Sequence, residues 1–263
     1  MKLDYGTQIS PFPIKLSVGT LKKPTLKEIA EMTFDKFSFY EFLLKMTPEM
    51  YYTKLLKNNG GVALWNSFSD SKKESFTMYD IINDAESLVD IYVEMFNYFF
   101  VETVIFREGF FILLKHSVND QDEIESDNIY GVISQTNFND VLDVIQQVCC
   151  IHSEEEKIEE MKFKNNLAKS LVAQMQKAQE SNHTKFDLNL TKPNIISSVC
   201  SSHPSLNYSN IWNLTLFQLY DTFRRLQANL IYNINSTSVA VWGDEKNSFD
   251  IALWYKNQYD TKN

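Results

Sequence analysis

Glycine is scarce in this chain. Only 7 of its 263 residues are glycine, less than half of the usual share of about 7%. Nucleotide-binding folds place glycines at fixed positions in the turns that hold phosphate groups. The chain has one adjacent pair, Gly60 and Gly61, and it has neither a Gly-x-Gly-x-x-Gly run nor a Gly-Lys-Ser run. The shortage argues against a P-loop or Rossmann site, and we expect no cofactor.

Arginine and net positive charge are also scarce. The chain carries 25 basic and 34 acidic residues, a net charge of −9, and its arginines are Arg107, Arg224 and Arg225. An acidic surface repels a phosphate backbone unless its basic residues gather in one patch, and bidentate phosphate contacts depend on arginine. We therefore expect no nucleic-acid partner.

Cysteines and long apolar runs are equally rare. The chain has three cysteines, which cannot all pair with one another: Cys149, Cys150 and Cys200. A membrane-spanning helix needs about 20 mostly apolar residues. The longest apolar stretch, residues 95–114, is broken by four polar residues: Asn97, Glu102, Arg107 and Glu108. The first 20 residues also lack the apolar core of a signal peptide. We expect no membrane segment and a reducing cytoplasmic location.

Amphipathic helical patterns fill most of the chain. Thr25 and Glu28 fit a capping box, and Thr47 followed by Pro48 is typical of a helix start. Apolar spacing predicts further helices at residues 37–46, 48–56, 80–100, 137–148, 193–202 and 215–234.

Three short segments indicate β structure instead. Residues 103–116 contain two apolar runs separated by Glu108 and Gly109, which predicts a β-hairpin, and residues 129–133 suit a third strand. The first 20 residues predict an extended arm that ends in a short strand. The predicted fold class is mainly α with a small antiparallel β element (α+β), a helical bundle with an N-terminal extended arm and a β-hairpin near 103–116.

Residues 153–180 carry the longest helical pattern. This stretch has no glycine or proline, and its apolar stripe is narrow, which leaves open a solvated helix or a coiled coil. Residues 182–191 form a polar linker. We therefore predict an N-terminal helical domain at residues 1–181, with the hairpin and the charged helix, and a C-terminal helical segment with an aromatic tail at residues 192–263.

Two Cys-x-x-His pairs are the sharpest local motifs in the chain. They are formed by Cys149 with His152 and by Cys200 with His203. Two such pairs could supply four ligands to zinc. The alternative is that the cysteines are small buried apolar residues and that His203 stabilises a helix end. We expect no metal site and no catalytic set, and we keep the zinc site as an alternative.

The C-terminal stretch contains a strongly amphipathic helix and an aromatic tail. The helix is predicted at residues 215–234, and the tail includes Trp242, Phe249, Trp254 and Tyr255. Aromatic residues near a chain end either pack back on the protein or insert into a partner. Both interpretations stay open at this point.

Several runs in this sequence resemble proteins from the morphogenesis modules of tailed phages and prophages of Gram-positive bacteria. In the C-terminal stretch these runs are SSHP at residues 201–204, NIWNLTLFQLYDTFRR at 210–225, VWGD at 241–244 and LWYK at 253–256. The N-terminal runs, PIKLSVGT at residues 13–20 and KPTL at 23–26, are similar to the entry of small helical tail and baseplate assembly chaperones. The resemblance implies a phage-encoded protein of the host cytoplasm, without enzymatic activity, that keeps the tape-measure protein or another tail component soluble.

Charge, composition and resemblance together favour binding over catalysis. We expect a tail assembly chaperone that holds a tail or baseplate component of the phage in an apolar groove. The expected contact residues are Phe217, Tyr220, Phe223, Arg224, Trp242 and Trp254. A virion structural protein of the baseplate or neck is an alternative, and homo-oligomerisation is left open.

Overall fold

The computed structural model of this protein describes residues 1–117, 125–151, 190–244 and 249–256. It confirms a mainly α fold with a small antiparallel β element. The chain divides into two compact units: an N-terminal unit of Met1–Pro24 and Glu28–Cys149, and a C-terminal unit of Thr25–Lys27 and Cys150–Asn263. The predicted helix at 153–180 and most of the predicted linker at 182–191 lie outside the described residues. The domain bounds therefore stay a prediction.

The first residues of the N-terminal unit are more folded than the predicted arm. Helix α1 (Tyr5–Ile9) begins where the Asp4 carboxylate accepts a hydrogen bond from the Thr7 backbone N–H. Strands β1 (Ile14–Lys15) and β2 (Thr20–Leu21) pair antiparallel. Four apolar residues hold this segment in the protein interior: Leu3, Ile14, Val18 and Leu21. Their burial explains why the segment does not extend as an arm.

Short helices follow this N-terminal segment. They are α2 (Leu26–Met32), α3 (Phe34–Leu44), α4 (Pro48–Met50), α5 (Gly61–Ser67) and α6 (Asp70–Ser75). Thr47 accepts a hydrogen bond from the Met50 N–H at 3.2 Å, and Pro48 occupies the first turn of α4. The predicted start of this helix is therefore confirmed. Beyond α4 the chain continues as a π-helical turn, Tyr51–Leu55, rather than as a regular helix.

The helix predicted at residues 80–100 is divided in two. Helix α7 (Met78–Asp84) and helix α8 (Glu86–Phe99) are separated by Ala85, whose backbone is extended. Thr77 and Asp80 form a capping box at the start of α7. Apolar spacing alone could not locate this break, because both helices present apolar residues at helical intervals.

The predicted hairpin and third strand are confirmed. Strand β3 (Thr103–Arg107) pairs antiparallel with β4 (Phe110–Leu114), which pairs antiparallel with β5 (Ile129–Ile133). Glu108 and Gly109, at the hairpin turn, both have positive φ, at 51° and 81°. Two consecutive residues of positive φ are what a type I′ turn requires.

An aromatic core joins the sheet to the helices of the N-terminal unit. The Phe96 ring of α8 lies 5.0 Å from the Phe111 ring of β4 and 6.2 Å from the Phe138 ring, centroid to centroid. Phe138 begins helix α9 (Phe138–Val148). Phe96 and Phe111 are fully buried, and Phe138 almost so. Aromatic edge-to-face contacts of this kind add to the stabilisation from burial.

The described part of the C-terminal unit contains two main helices. Helix α10 (Lys192–Ser202) packs against helix α11 (Leu216–Trp242). Leu26 donates a backbone hydrogen bond to the Leu214 carbonyl at 2.8 Å, just before α11 begins. The helix predicted at 193–202 is confirmed, whereas α11 continues eight residues beyond the predicted end at residue 234.

Candidate functional site

Helix α11 begins at a capping box. The Gln218 N–H donates to the Thr215 hydroxyl at 3.3 Å, and the Thr215 N–H donates to the Gln218 side-chain oxygen at 2.9 Å. The first half of the helix is anchored by buried residues, namely Leu216, Phe217, Leu219, Asp221 and Ala228. These contacts fix the direction in which the second half of the helix extends.

The second half of α11 differs from the first in charge and in exposure. Residues 226–243 contain no Asp, Glu, Lys or Arg. Along this stretch five large apolar side chains are exposed, from Ile231 at 50% to Trp242 at 82%. We call them the exposed stripe: Leu230, Ile231, Ile234, Val241 and Trp242. At 100° per residue they fall within an arc of about 120° on one side of the helix. Exposed apolar side chains grouped on one side of a helix typically mark an interaction site.

The aromatic tail packs on another side of α11. The Phe249 ring lies 5.4 Å from the Tyr232 ring, and the Arg225 guanidinium donates to the Lys256 carbonyl at 3.4 Å. Tyr232 and Arg225 lie roughly opposite Leu230 on the helix at 100° per residue. The tail therefore packs back on α11 through Phe249, and this packing leaves the exposed stripe uncovered.

Arg225 is held in place from its own helix as well. Its Nε atom lies 3.6 Å from the Asp221 carboxylate, one helical turn earlier, and Asp221 is buried. The ion pair therefore fixes the guanidinium on the side of α11 that the tail occupies.

The match to a known family falls on this part of the chain. Residues 177–259 match the family model described as the YomV second domain. That family is associated with Bacillus prophages, and the match indicates a phage-related protein. No curated protein and no solved structure matches the chain. The YomV-matched region includes α10, α11 and the described part of the tail, so the exposed stripe lies within it.

Four of the predicted contact residues lie on the side of α11 that carries the exposed stripe. Tyr220, Phe223 and Arg224 are partly exposed, and Trp242 is the most exposed residue of the stripe. Their spacing places them within the same arc of the helix. The structure thus places these four on one side of α11, with Trp242 about 30 Å along the helix axis from the other three.

The other two predicted contact residues lie elsewhere. Phe217 is 4% exposed, so it supports α11 from the core and offers no surface to a partner. Trp254 belongs to the tail, where its ring lies 5.0 Å from the Tyr255 ring and is half exposed. Trp242 and Trp254 therefore do not share the contact that Phe249 makes with Tyr232.

Sequence reasoning did not name four residues of the exposed stripe as contact residues: Leu230, Ile231, Ile234 and Val241. The predicted helix ended at residue 234, which left Val241 in an irregular tail. The signal that could have found them is the uncharged run at 226–243, because a helix that lacks charged residues over five turns has no strongly solvated face there.

The Cys-x-x-His motifs have structural roles where the structure describes them. The Nδ1 atom of His203 accepts hydrogen bonds from the backbone N–H groups of Ser205, at 3.1 Å, and Leu206, at 3.0 Å. Burial raises the pKa of the Cys200 thiol, which disfavours the thiolate that a nucleophile or a zinc ligand requires. His203 therefore stabilises the turn after α10.

The zinc alternative gains no support from these residues. His152 lies outside the described residues. Within the described ranges, no three His, Cys, Asp or Glu side chains are grouped so that they could hold a metal ion. Among the described helices, none is both long enough and apolar enough to cross a membrane.

Proposed function

We propose that this phage-related protein is a non-enzymatic morphogenesis protein that binds a tail component of the phage. In this role it acts as a tail assembly chaperone in the host cytoplasm, and its client is the tape-measure protein or another tail or baseplate component. The observation that carries the proposal is the exposed stripe of α11, which lies within the YomV-matched region.

The physical basis of the proposal is the burial of apolar surface. A client polypeptide that waits for assembly exposes apolar side chains, and an amphipathic helix of that client can lie along the exposed stripe. Trp242 is the best anchor, because large aromatic residues carry much of the binding free energy at protein interfaces and this ring is 82% exposed. Arg224, on the same side of the helix, supplies a charge that can pair with a client carboxylate.

Co-expression with the tape-measure protein of the same phage tests the proposal. We expect the full chain to raise the soluble fraction of that protein. Trp242→Asp should weaken the complex about 30-fold, the effect of losing ~2 kcal/mol at an interface anchor, and the soluble fraction should fall accordingly. Asn229→Asp is the matched control, because Asn229 is exposed on nearly the opposite side of α11.

The outcomes of this experiment are distinct. Equal solubility of the client with and without the chain, repeated with the baseplate proteins, would show that no chaperone activity exists. Mass spectrometry of purified phage particles separates the chaperone from the virion structural protein. A chaperone is absent from the particle, and a stoichiometric amount in the particle would assign the structural role instead.

A further inference from the structure

We infer that the exposed stripe of α11 also binds a second copy of this chain, in an antiparallel helix pair related by a two-fold axis. This inference goes beyond the proposed function and does not depend on it. In the free protein, the second copy would cover the surface that a client occupies during assembly. Three features of the second half of α11 support the inference: its residue spacing, its lack of charge and its exposed apolar area.

The spacing along the second half of α11 suits a helix pair. Leu230, Ile234, Thr237 and Val241 follow one another at intervals of four, three and four residues. Intervals that alternate between three and four residues keep these positions on one side of the helix, as helix pairs that pack along one seam require. The seam is therefore continuous over the uncharged part of the helix.

The seam is also complementary to itself when the helices run antiparallel. A two-fold axis between Asn235 and Ser236 places Leu230 opposite the partner's Val241, and Ile234 opposite the partner's Thr237. Each contact joins a larger side chain to a smaller one, so the two faces can interdigitate. Because the contacts are isologous, one sequence supplies both halves of the interface.

Charge favours a second copy over a charged partner at this surface. The chain carries a net charge of −9, so two copies repel each other over most orientations. Residues 226–243 carry no charged side chain, so two copies that meet along this stretch bring no like charges into direct contact. The stretch also offers a charged ligand no ion pair. An uncharged, apolar surface of the same kind is its natural complement.

The exposed area is of the size that a dimer needs. The five side chains of the exposed stripe are between half and four-fifths exposed. With typical side-chain areas they present about 600 Å² per copy, or about 1,200 Å² for the pair, which is the lower end of the range for stable interfaces. Leu230, Ile234 and Val241 contribute this area along the seam, and Ile231 and Trp242 contribute it along one flank. Crystal-packing contacts mostly bury less than about 800 Å² in total, so the exposed apolar area of two copies is larger than such contacts involve.

Sedimentation equilibrium of the full chain tests the inference, over about 1 to 100 µM because dimerisation depends on concentration. We expect a reversible dimer. Leu230→Glu alone and Val241→Lys alone should each raise the dimer dissociation constant at least about tenfold, because each buries an unpaired charge at the seam. Asn229→Glu, an equal charge change on nearly the opposite side of α11, should leave the constant unchanged.

An equimolar mixture of the Leu230→Glu and Val241→Lys chains tests the antiparallel register. In that register the introduced carboxylate faces the introduced ammonium group, while the native Leu230 of one chain faces the native Val241 of the other. We expect the mixture to regain dimers that neither variant forms alone. A parallel pair would not bring positions 230 and 241 together, so failure of the mixture to dimerise would overturn the antiparallel arrangement.

A monomeric wild-type chain over the whole concentration range would overturn the inference entirely. Circular dichroism and urea midpoints equal to those of the wild type establish that the variants are folded. The result is separate from the test of chaperone activity, because sedimentation reads the protein alone and co-expression reads the solubility of the client. Either can fail while the other succeeds.

Discussion

Helix α8 of the N-terminal unit and helix α11 of the C-terminal unit both have an apolar face, but these faces lie in different environments. The apolar face of α8 is buried at Leu88, Tyr92, Met95, Phe96 and Phe99. Helix α11 is anchored as far as Ala228 and then exposes the stripe that ends at Trp242. The comparison shows that helical periodicity predicts which residues share a face but not what covers that face.

The largest expected effect is that of removing an aromatic ring from the buried apolar face of α8. Phe96→Ala should destabilise the protein by about 3–5 kcal/mol, because it removes a fully buried ring that contacts several others and leaves a cavity. Ile234→Ala, a truncation on the exposed stripe, should change the free energy of unfolding by less than about 0.5 kcal/mol. Urea unfolding at low protein concentration measures both variants. Equal losses of unfolding free energy would contradict the difference between the buried face of α8 and the exposed stripe of α11.

An intermediate effect on stability is expected from a substitution that adds side-chain atoms in the protein interior. At Gly131, a Cβ atom would lie 2.4 Å from the Val18 carbonyl oxygen, so Gly131→Ala forces the backbone of the N-terminal unit apart. We expect a loss of about 1–3 kcal/mol. Ala240→Leu adds more atoms at an exposed position of α11, where we expect a change within about 0.5 kcal/mol. Thermal unfolding distinguishes the two, and a harmless Gly131→Ala would mean that the segment at Val18 can move away.

The smallest expected effect comes from two tyrosine hydroxyl groups of helix α8. The Tyr92 hydroxyl donates to the Leu43 carbonyl at 3.1 Å, whereas the Tyr98 hydroxyl is buried without a hydrogen-bond partner among the described residues. Burial raises the pKa of both phenols. Tyr92→Phe should therefore cost about 1 kcal/mol, and Tyr98→Phe should be neutral or slightly stabilising. The difference between their urea midpoints is the measurement, and a larger loss for Tyr98→Phe would reveal a partner for that hydroxyl.

Local signals predicted the elements that depend on a few adjacent residues. Thr47 with Pro48 marked a helix start, and Glu108 with Gly109 marked the hairpin turn, because capping and positive φ are properties of short segments. The break at Ala85 and the continuation of α11 to Trp242 were missed. In each case the apolar spacing is compatible with a continued helix or with an ended one, so the packing around the helix decides where it ends.

The predicted contact residues separate in the structure for the same reason. Tyr220, Phe223, Arg224 and Trp242 share a side of α11 because helical spacing groups them. Phe217 belongs to the same apolar pattern, but the structure places it in the core, and Trp254 lies in the tail. Spacing could not separate the residues that face the interior from those that face solvent, since both are apolar.

By itself, the sequence determined the helix-rich fold class, the hairpin, the helix start at Thr47 and Pro48 and the uncharged character of residues 226–243, because these follow from local chemistry along the chain. Only the tertiary structure decided that Phe96 is enclosed, that Phe249 contacts Tyr232 and that no residue in the described ranges buries the exposed stripe. Burial depends on contacts between residues far apart in sequence, and no periodicity within one helix contains that information.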